Sequence, residues 1–292
     1  MNPIHNAAAA DLRLLTLFAL ASAAAVTVGS IGLALSGVPF GSWVRTPLAF
    51  GVGLITGVGL MAVGRTRGLA MGAVALPIFA LTATLFSPDQ SGVHRWIDFG
   101  GLQVNVAALL LPLAIVALVD ISLAVPILLA LIAAIAALIA AQPDASQATA
   151  FAVSGVILLE RRRDLSRGMR LIAMNGLAAS AVFAWLRPDP LQPVPEVEGI
   201  FGLLADKSVL LAAAAALALA ASSLMPLRSS RPGPDNHRIP SGAPLAGYFV
   251  TVAVMPFLGA FPVPLVGLGM SFPVGYWLGM ACLCARTPTP GR

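Results

Sequence analysis

Apolar residues run along this chain in long stretches separated by short polar segments, without the strict alternation that is typical of a half-buried strand. A helix needs roughly 17–25 mostly apolar residues to cross a bilayer. The pattern therefore predicts an all-α integral membrane protein, a single polytopic membrane domain over residues 1–292. Its ten predicted spans are residues 14–35, 47–63, 69–86, 104–119, 121–141, 145–159, 171–186, 200–225, 245–261 and 265–284.

Four of these spans have features that need local explanation. The sixth is built on ATAFAVSGVILL, only 12 residues, which fits either a re-entrant segment or a helix tilted by its neighbours. The fourth and fifth are separated only at Asp120, where we expect a tight turn. The eighth contains Asp206 and Lys207. Because ionisable groups at membrane depth usually face the interior, we expect one of this pair to face a polar cavity and the other to reach towards the interface.

The composition agrees with a membrane protein. The chain is 58% hydrophobic and 10% charged, whereas soluble domains carry about 25% charged residues. The formal net charge of +5 raises the question of nucleic-acid binding. The basic residues, however, lie in short loops between apolar runs, which is how topology signals are distributed. We therefore expect membrane lipids, and no nucleic acid, as partners.

The distribution of arginine predicts the orientation in the membrane. Cytoplasmic loops are enriched in Arg and Lys. With both termini in the cytoplasm, ten spans place 13 arginines inside and only Arg45, Arg95 and Arg187 outside. The segments 91–101, 142–147, 187–199 and 261–267 then lie on the outer face.

These outer segments, in this order, resemble those of the SEDS family of polytopic cell-wall proteins, typified by FtsW and RodA. Residues 95–101, RWIDFGG, resemble the family's RWI-x-LGG, and residues 142–148, QPDASQA, resemble its QPDLGTA. Residues 192–202, QPVPEVEGIFG, align without gaps with LPEAHTDFIFA, and residues 264–272, PLVGLGMSF, resemble PVTGVTLPF. The resemblance covers residues 87–280 and implies a SEDS-type bundle of ten spans with cytoplasmic termini in the bacterial inner membrane.

The chain also departs from the family pattern. Where the family has Gln, Pro, Ser, Glu and Lys after the first motif, this chain has apolar residues and one amide: Asn105, Val106, Ala107, Ala108 and Leu111. The long outer loop between spans seven and eight is reduced to about a dozen residues. The family's catalytic Asp falls on Glu198 and its His on Glu196, and its Glu-Glu pair falls on Asp206 and Lys207. The chain is thus predicted to be a shortened and divergent member.

The resemblance implies a lipid-linked sugar, such as lipid II, as the ligand. In that chemistry a base takes a proton from an acceptor hydroxyl and positive charge holds the leaving pyrophosphate. Glu198 is the candidate base; the alternative is an acid favoured by the helix dipole at the start of span eight. Glu196 is expected either to raise the pKa of Glu198 by repulsion or to solvate the loop.

Arg95 and Trp96 are candidates for substrate binding. The alternative is that Arg95 anchors to lipid phosphates while Trp96 belongs to the aromatic belt at the interface. Asp144 is included in the candidate site, where it and Asp98 are expected to pair with Arg95 and brace the loops. The sequence shows no metal-ligand set, and the need for a divalent cation is open.

Two functions follow from the resemblance. In the first, the protein serves cell division or cell shape in peptidoglycan biogenesis without catalysis, and binds a lipid-linked sugar or a membrane partner such as a single-span transpeptidase (a penicillin-binding protein). In the second, it is a peptidoglycan glycosyltransferase that polymerises lipid II with Glu198 as the base. Ala108 and the shortened loop favour the first; the acid at position 198 favours the second.

Overall fold

The computed structural model describes residues 3–64, 66–229 and 240–285. Arg65, Arg231, Arg238, Arg286 and Arg292, which contribute to the predicted orientation, lie outside these residues. The described elements are α1 (Pro3–Leu35), α2 (Phe40–Trp43), α3 (Arg45–Val63), α4 (Arg67–Thr84), β1 (Trp96–Asp98), β2 (Gln103–Asn105), α5 (Val106–Asp120), α6 (Val125–Ala141), α7 (Ala145–Arg161), α8 (Arg167–Leu186), α9 (Ile200–Lys207), α10 (Val209–Leu224), α11 (Ala243–Val254) and α12 (Ser271–Cys284).

Every predicted span contains a helix. Five segments are long and apolar enough to cross a membrane, by length and composition: Asp11–Leu35, Phe40–Val63, Arg67–Thr84, Arg167–Leu186 and Val209–Arg228. Four shorter apolar helices accompany them, at Val106–Asp120, Val125–Ala141, Ala243–Phe257 and Ser271–Cys284. The short sixth segment forms a regular helix, α7, and the expected turn after Asp120 occupies residues 121–124.

The eighth predicted span is not one helix. Ser208 has an extended backbone (φ −167°, ψ 127°), which ends α9 at Lys207 and starts α10 at Val209. The Ser208 N–H still donates to Leu204 O at 2.8 Å, which closes the last turn of α9. Ser is a poor residue for a helix interior and a good one for a helix boundary. The prediction of a continuous 200–225 helix was therefore wrong at this residue.

The break also changes the surroundings of the charged pair. Asp206 and Lys207 lie in the last turn of α9, and both are exposed on the outside of the bundle. The expectation that one of them faces a polar cavity was wrong, because α9 turns its buried face, Ile200 and Leu204, towards the core.

Small residues allow the helices to pack closely. A Cβ added to Gly275 of α12 would lie 2.1 Å from the carbonyl oxygen of Ala108 in α5, so these two backbones are in direct contact. Such contacts between small residues are a main source of helix association in membranes. Around them, the rings of Phe249 and Tyr276 stack with centroids 3.7 Å apart, and Trp277 packs edge-on against Phe18.

The polar segment after α4 forms a β-hairpin. Strands β1 and β2 pair antiparallel, with Trp96 opposite Asn105 and Asp98 opposite Gln103. The turn needs positive φ at Gly100 and Gly101 (68° and 91°), a conformation that glycine adopts without strain. Asp98 is exposed, and its Oδ1 accepts a hydrogen bond from the Gly101 N–H at 2.6 Å. Asp98 therefore stabilises the turn, and its expected pairing with Arg95 was wrong.

The segment before α12 folds inward as a buried loop. Helix α12 begins at Ser271, six residues later than predicted, because Pro262, Pro264 and nearby glycines favour turns over helix. The loop is bonded to the segment before α9: Val263 N donates to Val197 O at 3.1 Å, and Leu268 N donates to Glu196 O at 2.8 Å. These bonds fix the position of the neighbouring Glu198.

Candidate functional site

A cavity of about 390 Å³ lies where the hairpin, the start of α7 and the two loops before α9 and α12 meet. Four of the five predicted site residues line it, namely Arg95, Trp96, Asp144 and Glu198. The structure thus brings together residues that are more than a hundred positions apart in the chain, such as Arg95 and Glu198. Three carboxylates and two guanidinium groups contribute to its wall: Asp144, Asp189, Glu198, Arg45 and Arg95.

Arg95 is held by two carboxylates. Its Nη2 donates to Asp189 Oδ2 at 2.6 Å, and its Nε lies 3.7 Å from Asp144 Oδ2. The same Nη2 also donates to the backbone oxygen of Pro143. Arg95 is only 7% exposed, so a pyrophosphate would have to share a guanidinium that already has partners on both sides. The expected pairing of Asp144 with Arg95 is present in this arrangement.

Asp144 has a structural as well as an electrostatic role. It is 3% exposed and is the N-cap of α7, where its Oδ1 accepts from Gln147 N at 3.2 Å and from Ser146 Oγ at 2.9 Å. An N-cap carboxylate satisfies a backbone donor that has no partner within the helix. Its Oδ2 faces Arg95, so one side chain both starts α7 and orients the guanidinium.

Glu198 lies immediately before Gly199, the N-cap of α9, and its carboxylate turns back towards the cavity. Its Oε2 accepts from the Val194 N–H at 2.7 Å, which closes the turn of residues 194–198. Partial burial raises the pKa of Glu198 above its usual value of 4.5, and repulsion from Asp189 adds to the rise. The Val194 hydrogen bond and the charge of Arg95 oppose it. A carboxylate with a raised pKa beside an open cavity is a reasonable proton acceptor.

Glu196 and Trp96 differ in their relation to the cavity. Glu196 is half-buried and is not among the cavity residues; its backbone oxygen holds Leu268 N instead. The carboxylate that repels Glu198 is Asp189, so the expectation that Glu196 raises the pKa of Glu198 was wrong. Trp96 is half-buried and lines the cavity, with the Arg95 Cζ 5.9 Å from its ring centroid. This distance is within the range of cation–π contacts.

Sequence reasoning missed three cavity residues. Asp189 lies in the segment 187–199, which was predicted only to be on the outer face, and its pairing with Arg95, 94 positions away, shows that it belongs to the site. Gln147 replaces a family threonine but was not singled out, and Arg45 was counted only as an outer arginine. Among the described residues, no group of three or more His, Cys, Asp and Glu side chains is arranged to hold a metal ion.

Comparisons with known proteins identify the fold. No protein-family model matches the chain, and no curated protein sequence matches it. The crystal structure of the rod shape determining protein RodA from Thermus thermophilus is similar with a TM-score of 0.65 and 20% identity, over 92% of this chain and 94% of RodA. A mutant of the same RodA, in which one aspartate is replaced by alanine, gives a TM-score of 0.65, 20% identity, and coverage of 92% and 95%.

A third similar structure comes from a study of how a peptidoglycan synthase complex coordinates polymerization and crosslinking. It has a TM-score of 0.62 and 20% identity, over 92% of this chain and 96% of the other. The three alignments each extend over nearly all of both chains, so they compare whole folds and not one shared motif. The predicted all-α, SEDS-type membrane bundle is therefore confirmed: this chain has the fold of RodA.

Proposed function

We propose that this protein acts in peptidoglycan biogenesis as a SEDS-type protein of the bacterial inner membrane, and that its outer cavity binds a lipid-linked sugar. The observation that carries the proposal is the cavity itself: on the fold of RodA, it gathers Glu198, Arg95, Trp96 and Asp144 at one place. The wall combines charged groups with apolar loop residues such as Val263 and Leu268, as a site for a sugar near a lipid tail requires.

In a catalytic version of this function, Glu198 is the base. An acceptor hydroxyl oxygen attacks the anomeric carbon of the donor sugar while its proton passes to the Glu198 carboxylate. The bond from that carbon to the pyrophosphate oxygen breaks, and the pyrophosphate leaves with the bonding electrons. Glu198 meets two requirements of a base: it lines the cavity, and its pKa is raised towards neutrality. A divalent cation could assist the leaving pyrophosphate, and it is therefore included as a variable in the test below.

In a non-catalytic version, the protein holds the lipid-linked sugar for a membrane partner. The exposed pair Asp206 and Lys207 is the contact we propose for that partner. They lie about 10 Å along α9 from Gly199 at 1.5 Å per residue, which is within the predicted membrane depth. Charged side chains at that depth are costly when they face lipid. A transmembrane segment of a single-span transpeptidase is the partner we propose, since a similar chain occurs in a peptidoglycan synthase complex.

The experiment uses the purified full chain in lipid nanodiscs with lipid II, with and without a divalent cation. The catalytic version predicts glycan polymer from the wild type and none from Glu198→Gln, with folding unchanged. Glu196→Gln is the matched control, because Glu196 lies on the same turn but outside the cavity lining, and it should retain the activity. Polymer from Glu198→Gln would remove Glu198 from the chemistry.

Binding of lipid II without polymer, alone or with a transpeptidase, would support the non-catalytic version. Failure of the wild type to bind lipid II would contradict the proposed function in both versions.

A further inference from the structure

A neutral side chain, Gln147, lies in the cavity wall beside the charged groups. It is in the first turn of α7, is 1% exposed and lines the cavity. The hydroxyl of Tyr248 in α11, itself fully buried, donates a hydrogen bond to Gln147 Oε1. Because Oε1 is committed to this bond, the NH₂ end of the amide is the part of the side chain that is left for a ligand.

Gln147 is held at both its backbone and its side chain. The backbone N–H of Gln147 donates to Oδ1 of the N-cap Asp144 at 3.2 Å, which fixes the start of α7. The side chain is fixed by Tyr248, which is fully buried and packs against the buried ring of Phe249. A donor that is oriented before the ligand arrives loses little conformational freedom on binding and discriminates strongly between ligands that can and cannot accept its hydrogen bond.

The charges near Gln147 indicate which part of a ligand would meet it. Arg95 is already paired with Asp144 and Asp189, so the inner wall of the cavity carries little uncompensated positive charge. Arg45 is different: it is exposed and lines the cavity, and the hydrogen bond that its guanidinium makes among the described residues is from Nε to Gly41 O at 3.2 Å. The anionic group of a ligand is therefore better placed near Arg45, and an uncharged oxygen of the same ligand is better placed near Gln147.

We infer that Gln147, oriented by Tyr248, is a specificity-determining residue that donates a hydrogen bond to a neutral oxygen, a hydroxyl or an amide carbonyl, of the sugar portion of a polyprenyl-linked ligand. The inference rests on the proposed function and adds to it the residue that distinguishes the sugar-bearing lipid from its bare carrier. Both lipids carry the tail and a pyrophosphate, but the bare carrier has a free terminal phosphate with an additional ionisable oxygen. A contact to the sugar is therefore detected as a change in the ratio of the two affinities between the wild type and a variant.

The test compares two probes, lipid II and undecaprenyl pyrophosphate, which share the tail and a pyrophosphate; lipid II adds the sugar, and the carrier has a free terminal phosphate. Their affinities are measured for the full chain in nanodiscs, for the wild type and for Gln147→Met, which keeps the shape and removes the donor. The ratio of lipid II affinity to undecaprenyl pyrophosphate affinity is expected to fall about 10-fold in Gln147→Met. Tyr248→Phe, which frees the amide to rotate, should lower the same ratio by a few-fold.

Gln142→Met is the matched control. Gln142 is also a fully buried glutamine of the same outer segment, but it bonds to Leu81 O and Thr84 and does not line the cavity. Its substitution should lower stability and leave the affinity ratio unchanged. An unchanged ratio in Gln147→Met, or an equal loss of both affinities, would overturn the inference while the proposed function stands. A wild type that binds neither probe would contradict the proposed function itself.

Discussion

The pairing of Arg95 with two carboxylates predicts a specific non-additivity in stability. Asp144→Ala removes the N-cap of α7, which costs about 1 kcal/mol, and one partner of a buried guanidinium. Arg95 keeps Asp189 at 2.6 Å in this variant, so we expect a total loss of about 2 kcal/mol. Asp189→Ala removes the charged hydrogen bond between Asp189 and Arg95. Because the Asp189 side chain is 32% exposed, solvent screens this bond, and we expect the free energy of unfolding to fall by about 1 kcal/mol.

The double variant should lose more than the sum of the single variants. It removes both carboxylates that pair with Arg95, which is only 7% exposed, and a buried charge without its partner costs about 3–5 kcal/mol. With the lost cap added, the expected total is about 4–6 kcal/mol. The coupling between the two aspartates is then about 1–3 kcal/mol, because either carboxylate alone can neutralise the guanidinium.

The assay is reversible unfolding in mixed micelles by titration with sodium dodecyl sulfate, followed by tryptophan fluorescence and far-ultraviolet circular dichroism. Arg95→Met provides the control background, in which the two aspartates no longer share a cation and their coupling should vanish. Asp98→Ala should change the free energy of unfolding little, because Asp98 is exposed and bonds only within its own turn. Losses from Asp144→Ala and Asp189→Ala that add within about 0.5 kcal/mol would refute the reasoning.

Two further predictions concern orientation and pH. In a background with Cys282→Ala and Cys284→Ala, a membrane-impermeant maleimide added to intact cells should label Ser91→Cys and not Arg163→Cys, both of which are exposed positions; the reverse would contradict cytoplasmic termini. If Glu198 is the base, activity should rise with pH and reach half its maximum above pH 4.5, because burial raises the pKa of Glu198 and only the carboxylate accepts a proton. Because the pKa of Glu198 is higher in the folded state, its protonation stabilises that state below pH 4.5, and this stabilisation is lost as the pH rises through the pKa of the folded state. Glu198→Gln should therefore remove the contribution of Glu198 to the pH dependence of the free energy of unfolding.

The positions of the helices could be predicted because apolar length is a local property. Each predicted span contains a helix, and the start of α7 at Ala145 coincides with the predicted one. The break at Ser208 could not be predicted in the same way, since a hydropathy pattern averages over a whole span and one extended residue barely changes it. The polar triplet at residues 206–208 was the available signal, but Asp206 and Lys207 were interpreted within a continuous helix, one facing a polar cavity and the other reaching towards the interface.

The candidate site was predictable only in part, for a similar reason. Arg95, Trp96, Asp144 and Glu198 could be found because each lies in a loop motif that resembles a known family. Asp189 lies outside those motifs, and its importance arises from one contact with a residue 94 positions away. Contacts of that kind depend on how the loops fold back over the bundle, which the pattern of one sequence does not specify.

Helix α5 has apolar residues where the SEDS pattern has charged ones, and the charged groups of this chain lie in the cavity wall instead. Ala108 and Leu111, where the SEDS pattern has Glu and Lys, are fully buried, and the Ala108 carbonyl touches the backbone at Gly275. A carboxylate at position 108 would be buried between two closely packed helices, which is costly without a partner. The charges of the cavity are instead carried by loops and helix ends: Arg95 before β1, Asp144 at the start of α7, and Asp189 and Glu198 before α9. The positions of these charged groups therefore depend on the backbone bonds that hold the loops, including the bond from Val263 N to Val197 O.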